Sequence, residues 1–331
     1  MPCRPLVPLK NKYKIKDLKT YCRALRMRAN LYKLTGRPFR ALEDLKKALR
    51  ISRRIDDPIN ESVCMMEIGH IKGVLGKDSE MLRIEEAALS LMKKAGLKKS
   101  AVNCLNSLGV AYKKLGAHQK ALQCYSEAYA AAKKSHDPET AALILNNKGV
   151  IYNILRDYSS AHECFSDSLT ICVKYRDLKG EASNCNNVGY LCYLKKDYKG
   201  AIGCFKRSLE IRIRIGDKYG QAVNLNNLGR LLALSGNSSD AVSFLEKAVH
   251  IRHEINDRSG EEESFINLIQ TIIESDKIKK AEKYAEKLFR MTGKMTGKDN
   301  LAKAAEIFNK LGWKDRAELV SRLSKETENG K

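Results

Sequence analysis

The sequence predicts an all-α fold, a solenoid of antiparallel helix pairs, on three observations. The first is composition: 43% of the 331 residues are hydrophobic, only 7% are aromatic and six are Pro, while Ala, Leu, Lys and Glu recur, a balance that suits helices over sheets. The second is a strict period. Gly69, Gly109, Gly149, Gly189 and Gly229 stand 40 residues apart, and so do Ala121, Ala161, Ala201, Ala241 and Ala281, with Ala41 in the same phase. A fixed period of this length signals a repeat architecture before any local assignment is made. The third is punctuation, because polar breaks separate the apolar segments at regular intervals.

The elements follow from those breaks. Around each glycine the sequence returns to the same words, as in Asn106-Ser107-Leu108-Gly109 and Asn226-Asn227-Leu228-Gly229. Twelve residues on comes the alanine, followed by a large side chain four later (Tyr125, Phe165, Phe205, Leu245) and a small one at seven (Ala128, Ser168, Ser208, Ala248), the spacing of one helix face. Breaks such as Arg156-Asp157 and Lys196-Asp197 lie between glycine and alanine, and His136-Asp137-Pro138, Arg176-Asp177, Gly216-Asp217 and Asn256-Asp257 separate the units. Asp at such a break suits a helix N-cap. Each unit therefore reads helix, tight turn, helix, with glycine and alanine placed where the helices approach most closely. Seven units are expected, at about 21–56, 61–96, 101–136, 141–176, 181–216, 221–256 and 261–292. A basic segment, 1–19, precedes them. A divergent capping pair, 299–326, with Trp313, and a polar tail, 327–331, follow. The second unit has Met81 and Glu85 where Ala and an aromatic are expected, which predicts looser packing there.

The pattern resembles the tetratricopeptide repeat, matched in the third unit by Leu105, Leu108, Gly109, Tyr112, Ala121, Tyr125 and Ala128. Its 40-residue period is similar to the extended repeats of Pins-type spindle-orientation adaptors, and Leu225-Asn226-Asn227-Leu228 and Leu209-Glu210-Ile211-Arg212 are similar to kinesin light chain. The resemblance spans about residues 20–292. It implies a right-handed superhelical solenoid whose first helices line a concave wall, and a role as a non-enzymatic scaffold or adaptor that binds an extended peptide or helix of a partner protein.

On that wall the expected peptide contacts are Asn103, Asn106, Asn146, Asn147, Asn153, Asn186, Asn187, Asn226 and Asn227, joined by Tyr190, Tyr193 and Arg230. Asn is a middling helix former, yet it offers a donor and an acceptor that suit the amides of an extended peptide. In kinesin light chain similarly placed asparagines line the cargo groove, which is what the resemblance implies here. The other reading is that one Asn per repeat, the one before the Leu-Gly step, ties adjacent helices together.

The net charge of +22 is concentrated at one end: residues 1–54 hold seventeen Lys and Arg against Asp17, Glu43 and Asp44. Arg23, Arg26, Arg28 and Lys33 are the candidate contacts for an acidic protein segment. The alternative function is RNA, DNA or anionic-surface binding through the same end, and some nonspecific attraction for nucleic acid follows from charge alone. Base readout needs exposed aromatics, whereas Tyr21, Tyr32 and Phe39 fall on apolar positions expected to face the core. No phosphate-binding loop, nucleophile elbow or His-Glu-x-x-His motif is present, and the six histidines are scattered. No catalytic residue, metal site or cofactor is therefore expected. The ten cysteines sit in apolar patterns and are expected to be free thiols, consistent with a cytoplasmic protein, and the resemblance to kinesin light chain adds association with the cytoskeleton to that expectation. The sequence does not specify the oligomeric state.

Overall fold

The computed structural model describes residues 15–293, 295 and 298–329. The basic stretch 1–14, with Cys3, and the last two residues of the tail lie outside them. The described residues form sixteen helices and no strand, divided into two compact units, Met1–Ser168 and Leu169–Lys331. The first unit holds α1 (Ile15–Leu34), α2 (Pro38–Arg54), α3 (Pro58–Val74), α4 (Asp78–Lys94), α5 (Lys98–Lys114), α6 (His118–Lys134), α7 (Pro138–Ile154) and the start of α8 (Tyr158–Tyr175). The second holds the rest of α8, α9 (Leu178–Leu194), α10 (Tyr198–Arg214), α11 (Lys218–Leu234), α12 (Ser238–Glu254), α13 (Arg258–Glu274), α14 (Ile278–Thr292), α15 (Lys298–Lys310) and α16 (Lys314–Asn329). From α1 to α7, and again from α9 to α16, each helix packs on the next, so within each unit odd-numbered helices form one series and even-numbered helices another.

The helices end where the backbone turns left-handed. Residues 36, 56, 76, 96, 116, 136, 156, 176, 196, 216, 236, 256 and 276 all have positive φ, one every 20 residues. Six of these are glycines, the usual residue for this conformation, and the others include Asp56, Asn256 and Asp276. Where an Asp follows the joint, it caps the next helix. Asp57, Asp137, Asp177, Asp217 and Asp257 each accept a hydrogen bond from the backbone N–H three residues on, satisfying a donor the helix itself cannot.

Close approach accounts for the glycines inside the helices. A Cβ at Gly109 would lie 2.4 Å from the Tyr125 ring, and one at Gly149 would lie 2.6 Å from Phe165. At Gly229 it would meet Leu245 at 2.5 Å. The paired alanines Ala121, Ala161, Ala201 and Ala241 are wholly buried. In the second repeat Glu85 takes the aromatic position against Gly69 and is itself only 2% exposed, with Met81 at 8%. The seventh glycine position carries Ile269, fully buried in the core that α13 shares with the terminal pair. There Phe308 stacks on Trp313 at 5.8 Å.

Two expectations require correction. Tyr21 and Phe39 do not face the core; they are 52% and 71% exposed. Among the described residues no helix precedes α1, so the position of Tyr21, buried or half-buried in later repeats, stays open, whereas the position of Phe39 is exposed in the later repeats too. The nine described cysteines are free thiols. Among the described residues no helix is long and apolar enough to cross a membrane.

Candidate functional site

The odd-numbered helices carry the candidate residues, and packing divides them into two kinds. Asparagines in the middle of the helices bond to one another across neighbouring repeats. In the first unit the Asn147 side-chain N–H donates to Asn106 Oδ1 at 2.9 Å. In the second unit Asn227 and Asn224 both donate to Asn186 Oδ1, at 3.3 and 3.2 Å. Asn226 Oδ1 accepts from Asn267 at 2.9 Å and from the Ser264 hydroxyl at 3.3 Å. Asn226 is buried, whereas Asn106, Asn146, Asn147, Asn186, Asn187 and Asn227 are half-buried. Buried amides satisfied in this way fix the register of one helix against the next. Asn224, Ser264 and Asn267 were not singled out by sequence reasoning. Asn267 was accessible to it, since it stands 40 residues after Asn227.

The other kind lies nearer the helix ends and is left open. Asn103, Tyr190 and Arg230 are exposed, while Tyr193 and Asn153 are half-buried. The Tyr190 and Tyr193 rings lie 6.0 Å apart and Tyr198 continues the group at 6.4 Å from Tyr193. Asn153 is part of the half-buried margin of this surface, and its Oδ1 is buried without a hydrogen-bond partner. Val110 and Leu143, at 43% and 53% exposure, add apolar surface on α5 and α7.

The basic cluster of α1 belongs to the same face. In repeat register Arg23, Arg26 and Lys33 stand where α5 has Asn103, Asn106 and Lys113. Arg26 is partly committed, its guanidinium donating to Asn60 at 3.0 Å and to Glu67 at 3.1 Å. Arg28 points elsewhere, gripping the buried Asp44 carboxylate through two bonds of 2.6 and 2.8 Å. Arg23 and Lys33 have no acidic partner among the described residues. Burial, and then the nearby Lys33 charge, hold the His70 imidazole below its usual pKa. The first unit therefore gathers uncompensated positive charge, apolar surface and open amides on one series of helices.

Tetratricopeptide repeat family profiles match residues 22–55, 100–174 and 181–253, more than half of the chain. The chain is a tetratricopeptide repeat protein. No curated protein matches its sequence. Among solved structures this tetratricopeptide repeat protein is similar to BtubC (BKLC) from P. vanneervenii, with 21% identity and a TM-score of 0.59 over 66% of this chain and 92% of that one. It is also similar to a signal transduction ATPase with a tetratricopeptide repeat sensor from Pyrococcus horikoshii, with 16% identity and a TM-score of 0.68, covering 95% of this chain and 50% of that one. A third is the Rap conjugation gene regulator of the plasmid pLS20 in complex with the Phr* peptide, with 14% identity and a TM-score of 0.58 over 94% and 95% of the two chains. At these identities the likeness concerns the fold.

Proposed function

We propose that this tetratricopeptide repeat protein is a non-enzymatic scaffold that holds a partner protein on the odd-helix face, and that an extended or helical segment with acidic residues is the ligand of the first unit. The observation that carries the reading is the juxtaposition on that unit's odd helices of unpaired Arg23 and Lys33 with exposed Asn103, Val110 and Leu143 and the unpartnered Asn153 Oδ1. Cations attract the segment from a distance, the amides bond its backbone and the apolar side chains supply burial. Tyr190, Tyr193 and Arg230 offer a comparable surface within the second unit. A Rap regulator of the same fold is seen with a bound peptide, which supports peptide capture without naming the peptide. The test is affinity capture from lysate with mass spectrometry, followed by titration of the recovered segment. Replacing Arg23, Lys33, Asn103 and Asn153 with Ala should weaken binding by one to two orders of magnitude, roughly the loss of a few charged and neutral hydrogen bonds, with the melting temperature unchanged. Submicromolar, sequence-selective binding of duplex DNA or single-stranded RNA, insensitive to those changes, would overturn the reading.

A further inference from the structure

The array shows how its own helices are covered, and α1 is the exception. On α3, α5, α7, α9, α11 and α13, two positions seven residues apart are sealed against the preceding repeat: Cys64 and Ile71, Cys104 and Ala111, Ile144 and Ile151, Asn184 and Leu191, Asn224 and Leu231, Ser264 and Thr271, all at 5% exposure or less. The equivalents on α1 are Ala24 and Leu31. Ala24 is exposed and Leu31 is 62% exposed, with Met27 at 66% beside them on the same face. A seat built for a neighbouring helix thus stands uncovered among the described residues, on a side of α1 other than the one bearing Arg23 and Lys33.

Charge states what kind of helix fits. Inside the array an even-numbered helix places a carboxylate towards the pair that follows: Glu86 of α4 accepts from the Tyr112 hydroxyl, and Glu246 of α12 accepts from Tyr284 at 2.7 Å and pairs with Lys280 at 3.0 Å. Arg40 on α2 stands at the position of Lys280, ready for the same carboxylate. A second internal pair, Lys93 of α4 with Glu127 of α6 at 2.6 Å, is reversed at the end of the array, because Lys47 occupies the position of Glu127. A helix seated there meets positive charge at both registers, whereas a second copy of this end would bring its own Arg40 and Lys47 and be repelled.

We propose that the outer face of α1, with Arg40 and Lys47 of α2, is a docking site for an acidic amphipathic helix of a partner protein, seated as one more even-numbered helix ahead of the array. The even-numbered helices α2, α4, α6, α10 and α12 are 17 residues long, which sets the length of the occupant. Its inner face carries small and aliphatic residues, like Ala88 and Met92 of α4, and its flanks carry Glu or Asp opposite Arg40 and Lys47. The site is independent of the peptide face proposed above.

The probe is a fluorescent peptide of the α4 sequence, Asp78–Lys94, with Lys93→Glu, titrated into the full chain and read by anisotropy. The expected result is saturable binding that Leu31→Asp weakens at least tenfold and Lys47→Glu several-fold, while the unmodified peptide, which keeps Lys93, binds the Lys47→Glu chain better than it binds the original. That charge swap rebuilds the internal Lys93 and Glu127 pair and does not depend on how Leu31→Asp folds. Three results would overturn the proposal. One is binding indifferent to Leu31→Asp but lost on Asn103→Ala and Asn153→Ala, which places the peptide on the odd-helix face. Another is binding that appears only when residues 1–14 are deleted, which makes that segment the occupant. The third is a dimer in sedimentation equilibrium that Leu31→Asp dissociates, which makes the occupant a second copy.

Discussion

Asparagine serves two ends in this protein, and position decides which. Asn226 is 2% exposed and receives two donors, so Asn226→Ala strands both Ser264 and Asn267 inside the packing and should cost about 1–3 kcal/mol in urea denaturation. Asn103→Ala, on open surface, should stay within about 0.5 kcal/mol. The recurrence of asparagine was plain in the sequence, but its division was not: a 40-residue period identifies equivalent positions without saying which amide reaches the next helix, and that depends on distances of a few tenths of an ångström. Glu85 is a second residue whose role is set by burial. Its carboxyl pKa is raised by desolvation, although the Ser107 hydroxyl donates to it at 3.1 Å. The folded chain therefore holds this proton more tightly than the unfolded one. The contribution to stability is full below the unfolded carboxyl pKa and is lost as pH rises through the raised value. Glu85→Gln should accordingly gain stability relative to the parent as pH rises above the unfolded carboxyl pKa of about 4, and a melting temperature difference independent of pH would contradict this account.

At the scale of the helix pair, the controlling quantity is the room left beside each glycine. Gly109→Ala forces a methyl against the Tyr125 ring, whose nearest atom would be 2.4 Å away, and should destabilise by about 1–3 kcal/mol through overpacking. Gly203 on α10 has nothing within 4 Å of the same added atom, and Gly203→Ala should stabilise by about 0.5–1 kcal/mol, since alanine is the better helix former. Guanidinium denaturation of the two variants checks both signs. Helix pairing was legible because one small residue per helix recurs at one contact, and many of the caps because Asp precedes the start, as at Asp137, Asp177, Asp217 and Asp257. Phe39 stands at a position that is exposed and polar in the later repeats, as at Gln119, Ser159 and Lys199, so its own register placed it outside the core; the burial of Tyr21 was misjudged for a reason the repeat itself supplies. Periodicity assigns every unit the same environment, yet the first has no predecessor among the described residues. The pair Arg28 and Asp44 marks the same break in symmetry, standing where later repeats put apolar partners such as Leu228 and Phe244.

Over the whole molecule, a net charge of +22 with seventeen of the cations in residues 1–54 implies self-repulsion in the folded state. Raising salt from about 10 mM to about 150 mM contracts the screening length from about 30 to about 8 Å, and the melting temperature should rise. A fall would mean that the ion pairs of the surface, among them Arg53 with Glu61 and Arg207 with Glu181, outweigh the repulsion. The left-handed joints, one every 20 residues, carry a different consequence. Two joints enclose a cassette of fixed length whose two cut ends have the same backbone conformation, so the number of cassettes is a variable that the chain can change without altering any one of them. Excising residues 97–136 joins Gly96 to Asp137, a junction with the left-handed residue and the capping aspartate both in place, and α7 then offers α4 the apolar pair Ile144 and Ile151 where Cys104 and Ala111 had been. The shortened chain should keep its helical content per residue in circular dichroism and melt in a cooperative transition. A gene that gains or loses such a segment by unequal recombination would still encode a folding protein, so the reach of the binding face can evolve separately from the stability of the units that build it.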